Sequence, residues 1–282
     1  MKKLKQNLWF WVFRICNILI LIFFFLIFFF IFIRGFKVIN LEFLFSMPKE
    51  GMTKGGIFPA ILGTIYLVGV SIIFSLILGI GAGIYLSEYA RDNYLVRIIK
   101  IGINNLAGVP SIIFGLFGFA VFVKLFKFGV SILSGGLTLG ILTLPTIIMS
   151  TEEALKSVPQ SFREASFSLG ARKWQTIKNI VLPNSISGIL TGAILSIGRA
   201  AGETAPILFT AVTFYINKLP KSIFDEVQAL PYHIYGLMTE GTQPEFQVPI
   251  AYGTALVLLF LVLGMNSIAI FLRIKTRGKK KW

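Results

Sequence analysis

The sequence predicts an all-α polytopic membrane protein with about six transmembrane helices. Its 282 residues are 55% hydrophobic and only 14% charged, with a mean hydropathy of +0.81, unlike a water-soluble domain. Hydrocarbon about 30 Å thick requires roughly 20 apolar residues in a helix. Because backbone amides in lipid must bond within their own segment, each apolar stretch of that length is predicted to be helical. The stretches are residues 15–33, 57–86, 103–123, 132–149, 184–214 and 249–272.

The first stretch, ICNILILIFFFLIFFFIFI, is predicted to be an uncleaved span and not a signal peptide. Its apolar run exceeds the roughly 7–15 residues of a signal core, and the following RGFK lacks a small-residue cleavage site. Residues 1–56 are therefore expected to form an amino-terminal span and an external loop, in which we find no motif.

Lys and Arg residues gather on one side of the predicted topology. Since positively charged loops stay in the cytoplasm, we place the amino terminus inside. This arrangement puts 18 of the 27 basic residues in the cytoplasm and 8 outside. Both termini are then cytoplasmic, and residues 274–282 form a basic tail that lies against anionic lipid headgroups. Topology thus explains the net charge of +15, and we expect no nucleic-acid partner.

Side chains suited to catalysis or metal binding are scarce. The chain has one Cys, Cys16 in the first span, and one His, His233 in a predicted external loop. An internal disulfide is impossible, and no His/Cys cluster has metal-ligand spacing. The G-x-x-x-x-G-K-[ST] motif of a nucleotide-binding P-loop does not occur either, so any energy from ATP must come from another protein. We expect no catalytic site, no metal site and no cofactor bound by this chain.

Glycine and proline predict the packing and shape of two helices. In LGIGAGIYL, Gly79 and Gly83 lie four residues apart on one helix face, which predicts close helix packing. In LAGVPSIIFGLFGFA, Pro110 between Gly108 and Gly115 predicts a kinked or interrupted helix. Transporters place such helices near their pathways, although a kink without a function is equally compatible with these residues.

A polar segment, EASFSLGARKWQTIKNIVLP, separates two apolar stretches, and the charge distribution places it in the cytoplasm. We predict two short helices. Ser161 and Glu164 form a capping box at the start of the first, and Gly170 ends it. Pro183 then turns the chain back into the membrane. Such a hairpin is either a surface helix on lipid headgroups or a docking element for a cytoplasmic partner.

This segment carries the "EAA, three residues, G, nine residues, I, one residue, LP" motif, and the chain therefore resembles the ABC type I importer permeases. The matching residues are Glu164, Ala165, Gly170, Ile180, Leu182 and Pro183. Ser166 stands where the family usually has Ala, a small-for-small change. The resemblance implies a permease domain at residues 57–273. Within it, residues 152–183 would form a coupling loop that sits in a cleft on an ATP-hydrolysing subunit.

Three further phrases look like the permeases of phosphate-specific importers: LAGVPSIIFGLFG, LTLPTIIMSTEEALKSVP and SIGRAAGETAPILFTA. The GRAAGETAP run and the short amino-terminal region look like the PstA-type subunit and not its PstC-type partner. The resemblance implies a bacterial inner-membrane protein that imports inorganic phosphate by alternating access and is not itself an enzyme. Implied partners are a PstC-type permease subunit, two copies of a PstB-type ATPase using ATP with Mg, a PstS-type extracytoplasmic phosphate-binding protein and membrane lipid.

Arg199 and Glu203 are charged residues within the fifth apolar stretch. Each ionised group costs roughly 2.5–3.5 kcal/mol to insert at mid-membrane. Spaced four apart, the two residues can pair, and a salt bridge that pins neighbouring helices is one interpretation. In the other, Arg199 presents donors to a phosphate oxyanion, Glu203 holds it in place and Thr204 adds a hydroxyl. The family resemblance favours this pathway role.

Other functions remain open on the sequence. A sulfate or molybdate importer would carry much the same coupling motif, and the chain could be the PstC-type subunit. A channel independent of ATP has no use for a docking loop. An intramembrane enzyme would require a catalytic constellation that one His, one Cys and the Arg199/Glu203 pair do not make. Residues 216–247 are the best candidate for contacting the binding protein.

Overall fold

A computed structural model describes residues 2–91, 93–216 and 218–277, and it describes side chains for residues 9–275 of these ranges. Helices make up most of the described chain. They are α1 (Lys2–Phe36), α2 (Leu41–Phe45), α3 (Phe58–Ile84), α4 (Tyr94–Ala107), α5 (Ser111–Gly118), α6 (Ile132–Lys156), α7 (Gln160–Ser168), α8 (Lys173–Thr176), α9 (Leu182–Gly202), α10 (Ala205–Leu208), α11 (Leu230–Thr239) and α12 (Pro244–Arg277). Residues 278–282 of the predicted basic tail lie outside the described residues.

Wider π-helical turns extend three of these helices: α3 to Tyr89, α5 to Leu125, and α8 through Ile177–Val181 into α9. A 3-10 turn at Glu50–Met52 joins two short strands. These are β1 (Pro48–Lys49) and β2 (Lys54–Gly55), which pair antiparallel. The hairpin belongs to the end of the bundle where α1 finishes and α3 starts.

The predicted number of crossings, about six, is confirmed. Five runs in the described chain are long and apolar enough to span a membrane, and the bent pair α4–α5 makes a sixth. The five are Trp9–Phe36, Phe58–Tyr89, Ile132–Lys156, Lys173–Gly202 and Pro244–Lys275. Following the charge distribution, we call the end of the bundle that carries α7 the cytoplasmic end.

Helices α3 and α6 form the closely packed centre of the bundle. Gly79 of α3 lies against Ile147 of α6, and Gly83 lies one turn further on against Thr151. The two helices run parallel, since both contact positions advance together toward the cytoplasmic end. The small-residue face predicted at Gly79 and Gly83 is therefore confirmed as a helix contact.

Replacement of Gly79 by Val is expected to lower the thermal stability of the detergent-solubilised protein. A Cβ at this position would lie 2.6 Å from Cγ2 of Ile147, and overpacking of this kind costs about 1–3 kcal/mol. Gly81→Val is the matched control, because a Cβ at Gly81 on the same helix meets nothing within 4 Å. Thermal unfolding of both variants checks the contact, and equal losses would contradict the assignment.

Helix α1 lies at the periphery of the bundle. Its most apolar 18-residue window is not buried by the rest of the protein, as expected of a helix surrounded by lipid. Its outer end is attached to α12: Arg34 lies 4.2 Å over the ring of Phe30 and 5.3 Å over that of Tyr252. The helix covers the whole predicted stretch 15–33.

The third crossing is broken, as the proline and glycines predicted. Helices α4 and α5 meet at 105°, so the interrupted helix predicted around Pro110 is confirmed. Pro110 precedes the first residue of α5 and has no N–H to continue a helix from α4. Its ring also keeps Val109 away from helical backbone angles.

The fifth crossing is broken too, which corrects the prediction of one helix over residues 184–214. Gly188 and Gly192 of α9 lie against Ala154 and Ser150 of α6, so these two helices are antiparallel. Because both helices rise equally per residue, continuing these pairings along α9 places Arg199 level with the middle of α6. Helix α9 ends at Gly202 and is followed by the short α10 and an irregular segment.

The external end of the bundle is closed by residues 218–239. Backbone N–H groups of Ile132 and Leu133, at the start of α6, donate to the carbonyls of Asp225 and Ile223 at 2.9 Å each. His233, expected in a loop, is instead 2% exposed within α11. Burial lowers the pKa of His233 to about 4, so the imidazole is neutral at neutral pH.

Candidate functional site

The predicted site residues fall into two groups at opposite ends of α9. The motif residues lie at the cytoplasmic end, whereas Arg199, Glu203 and Thr204 lie where α9 ends within the bundle. The structure therefore does not bring the two groups into contact. It connects them through one continuous helical run, Lys173–Gly202.

The first helix of the coupling loop ends where the sequence predicted. Gly170 has φ +79°, in the left-handed region, and its N–H donates to the carbonyl of Phe167 at 2.9 Å. The predicted capping box is wrong, because α7 begins at Gln160 and Ser161 already lies within its first turn. Pro159 takes the cap position, where its fixed φ suits a helix start.

One side of this hairpin is exposed and partly apolar. We call it the coupling surface; it consists of Glu164, Ala165, Phe167, Leu169, Gly170 and Trp174. Leu169 is 89% exposed and Trp174 is 56% exposed, so neither side chain is part of the hydrophobic core. Exposed large apolar groups on a rigid turn are typical of a docking element, which favours that interpretation of the loop.

The inner side of α7 contains Ser166, the position at which this chain departs from the motif. Its hydroxyl lies 2.8 Å from the hydroxyl of Thr176, and both side chains are buried. The contact joins α7 to α8. Ser166 is thus compatible with the close packing expected of a small residue, and it adds a hydrogen bond that Ala could not make.

The last motif residues, Ile180, Leu182 and Pro183, occupy a continuous helix and not a turn back into the membrane, which corrects that prediction. The helix continues through Pro183 because the preceding turn is a wider, π-helical turn. In that turn the N–H of Leu182 donates to the carbonyl of Ile177, five residues earlier. The side-chain amide of Asn184 satisfies the carbonyl of Ile180 at 2.8 Å. A wide turn relieves the clash that a proline ring makes with the preceding turn.

Arg163 is an interior residue that the motif does not include. It lies between Phe162 and Ser166 on the inner side of α7, and its side chain is 11% exposed. Its partner Glu88, 75 residues earlier, is 8% exposed. A charged residue on the otherwise buried face of an amphipathic helix was the available sequence signal, but nothing in the sequence indicated the partner.

The second group surrounds the break after α9. Nε of Arg199 lies 3.4 Å from Oε1 of Glu203, so the predicted pair forms, at the long limit of a hydrogen bond. Among the described hydrogen bonds, Arg199 uses only Nε, which leaves the terminal nitrogens for another acceptor. Its side chain is 35% exposed. Thr204 is half-buried and directly precedes the short α10.

Further polar groups and a second broken helix lie near the pair. Oγ of Ser196 and Oδ1 of Asn266 are buried without a hydrogen-bond partner in the described chain. Gly115 of the broken α4–α5 crossing lies against Ala205 and Pro206, just beyond Thr204. Two interrupted helices that meet beside a partly exposed arginine at mid-depth are typical of transporter substrate sites.

The side chains at this break are suited to binding an anion. Arg199 supplies a planar fork of donors that matches an oxyanion, with Glu203 beside it. Residues 2–91, 93–216 and 218–277 contain no group of three or more His, Cys, Asp or Glu side chains placed to hold a metal ion. The arrangement can therefore offer an anion a few charge-assisted hydrogen bonds in a polar gap.

Comparisons with known proteins agree with this architecture. The probable ABC transporter permease protein YqgI of Bacillus subtilis (strain 168) is 33% identical over 276 residues, 94% of each chain. The phosphate transport system permease protein PstA of Mycobacterium leprae (strain TN) is 39% identical over 222 residues, 78% of this chain and 70% of its own. PstA of Pasteurella multocida (strain Pm70) is 34% identical over 233 residues, 82% of each chain.

A solved structure and a family profile extend these comparisons. A chain of the MetNI methionine ABC transporter in an inward-facing conformation superposes with a TM-score of 0.60 at 17% identity, covering 77% of this chain and 94% of that one. The likeness shows that the two share the ABC importer permease fold. The profile of "Binding-protein-dependent transport system inner membrane component" matches residues 75–277. The chain therefore belongs to the family of inner-membrane components of binding-protein-dependent transport systems.

Proposed function

We propose that this chain is a membrane-spanning permease subunit of an ATP-driven importer of inorganic phosphate. As a family member whose described residues contain five or, with the bent pair, six candidate membrane crossings, it is a multi-pass protein of the bacterial inner membrane. Two of the relatives compared above are named phosphate transport system permease PstA. The observation that carries the proposal in this chain is the Arg199/Glu203 pair beside a mid-depth helix break.

In the proposed mechanism, Arg199 binds phosphate only transiently. A guanidinium fork donates two parallel hydrogen bonds to a tetrahedral oxyanion. The carboxylate of Glu203 competes with the oxyanion for the positive charge of Arg199 and so weakens phosphate binding. A permease that receives its substrate from a binding protein does not require tight binding. Weak contact at mid-depth allows the ion to leave on the other side, and Thr204 adds a hydroxyl to the same gap.

The energy is proposed to come from a partner ATPase, since this chain contains no P-loop. The coupling surface would seat in a cleft on that ATPase. Closure of two ATPase copies on ATP with Mg would then move α7 and the helices attached to it, and so switch the cavity between the two sides. A second, PstC-type permease subunit completes the pathway, and a PstS-type binding protein delivers phosphate at the external end.

Uptake of labelled phosphate tests this proposal directly. Cells that lack their own copy of this subunit receive the chain together with its natural partner subunits, and sulfate serves as the competitor. We expect restored, ATP-dependent uptake that excess sulfate does not reduce. An assembled complex that hydrolyses ATP but imports sulfate or molybdate and not phosphate would overturn the substrate assignment while leaving the permease function in place.

A further inference from the structure

We infer that Arg163 is a positioning residue that fastens the coupling surface to both central membrane helices, so that movement of α7 moves α3 and α6 together. The inference rests on the proposed function, because it concerns how the partner's closure reaches the membrane. Arg163 lies outside the six matched motif positions, and its role follows from the contacts of its guanidinium.

The guanidinium of Arg163 donates to three residues at the ends of the two central helices, α3 and α6. Nη2 donates to Oε1 of Glu88 at 2.6 Å, and Nε donates to Oε2 at 3.3 Å, which forms a bidentate ion pair. Nη2 also donates to the carbonyl of Leu155 at 2.9 Å, and Nη1 donates to that of Val158 at 2.8 Å. Glu88 terminates the first central helix, whereas Leu155 and Val158 mark the end of the second.

The two carbonyls explain why the residue is arginine. Leu155 lies in the last turn of α6, where position i+4 is Pro159 and has no N–H to donate, and Val158 lies just beyond the helix. A planar fork with five donors can bond both carbonyls while holding a carboxylate. An ammonium group is a compact centre and cannot span these acceptors. The ion pair is nearly buried, so removing one partner would leave the other charge poorly solvated.

An apolar cluster beneath the guanidinium strengthens the same junction. Leu155, Val158 and Val181 are buried together, and Ile84 and Phe162 pack against them. The ends of α3, α6, α7 and the run into α9 therefore meet at one point. Since α3 and α6 are in close contact through Gly79 and Gly83, a displacement applied at this junction reaches both helices as one body.

Lys100 provides a contrasting contact at the same end of the bundle. Its Nζ lies 2.7 Å from Oε1 of Glu152, so this ion pair also joins two helices, α4 and α6. This ion pair does not involve α7, and Lys100 is 37% exposed. A variant at Lys100 therefore removes a more exposed interhelical ion pair at the same end of the bundle, while Glu152 keeps its second partner, Lys156.

The test uses a reporter that does not depend on which ion is transported. Cys16→Ser removes the native thiol, and Gly202→Cys places a new one at the exposed break after α9, where a Cβ meets nothing within 4 Å. The complex with its partner subunits is labelled with a water-soluble maleimide, with and without ATP and vanadate. ATP hydrolysis and co-purification of the ATPase are measured on the same preparations.

We expect nucleotide to change the labelling rate in the parent and in Lys100→Gln. In Arg163→Gln, we expect ATP hydrolysis to persist while the nucleotide-dependent change falls by at least about fivefold, the lower range of measured couplings between sites. A cavity of about 500 Å³ beside the pair can hydrate the shorter side chain. If the complex with Arg163→Gln does not assemble, Glu88→Gln replaces it, because this variant keeps the hydrogen bonds from Arg163 to the two carbonyls. The nucleotide-dependent change in labelling must then fall in Glu88→Gln.

The outcomes separate this inference from the proposed function. A parent that shows no nucleotide-dependent change overturns alternating access at the break, and with it the proposed mechanism. A parent change that Arg163→Gln or Glu88→Gln retains in full overturns the role of Arg163 alone. Equal losses in Lys100→Gln and Arg163→Gln would also overturn it, since any interhelical ion pair at this end would then matter equally.

Discussion

In the Arg199→Ala variant, we expect phosphate uptake to fall at least about tenfold while the complex still assembles with its ATPase. A hydrogen bond to a charged group contributes about 1.5–3 kcal/mol, and about 1.4 kcal/mol corresponds to a factor of ten. The side chain is partly exposed at the break and lies in the last turn of α9, so its truncation leaves the helix contacts intact. Uptake assays and co-purification of the ATPase check both parts.

A double variant separates the two interpretations of the pair. If Arg199 serves only to neutralise Glu203, then Arg199→Ala with Glu203→Ala removes both charges and restores uptake. If Arg199 contacts the oxyanion, the double variant remains inactive. Arg34→Ala is the control for losing an arginine from a membrane helix, because Arg34 contacts Phe30 and Tyr252 at the outer end of α1, far along the chain from the break. Restored uptake in the double variant would leave the pair a purely structural role.

Hydropathy was sufficient to locate every crossing, but it could not show which crossings are single helices. An apolar helix and an apolar segment broken by a glycine have the same mean hydropathy. Pro110 carried a direct signal, since a proline cannot donate the hydrogen bond that continues a helix. Gly202 carried none of comparable strength, because glycine is tolerated inside membrane helices. The break after α9 lies between the contacts of α9 with α6 and those of α10 with α5, which are formed in three dimensions.

In the coupling loop, too, local sequence patterns predicted some features and could not predict the contacts between helices. Gly170 was predictable as a helix stop because few other residues adopt a positive φ. The capping box failed although Ser161 and Glu164 have the right spacing, because the cap lies at Pro159, two residues before Ser161. The pairing of Arg163 with Glu88 spans 75 residues and depends on where two helices end. Local spacing holds no information about such a contact.

Gly170→Leu is expected to abolish phosphate uptake and to release the ATPase from the purified complex. The left-handed φ of +79° disfavours any side chain with a Cβ by roughly 1–2 kcal/mol. Space within this chain is not the obstacle, because a Cβ at Gly170 meets nothing within 4 Å. The larger effect comes from outside: a leucine would project from the tip of the coupling surface, between Leu169 and the cleft in which that surface is proposed to seat.

Gly129→Leu provides a matched control for the backbone strain. Gly129 has φ +70°, its Cβ position is equally open, and it lies at the external end of the bundle, before α6. Both variants carry the same left-handed leucine, so they should lose similar thermal stability, yet only Gly170→Leu should lose the ATPase. If Gly170→Leu keeps both the ATPase and uptake, the coupling surface is wrongly placed. If both variants lose the ATPase equally, strain and not docking accounts for the effect, because the two sites share their backbone geometry and differ in the end of the protein that they occupy.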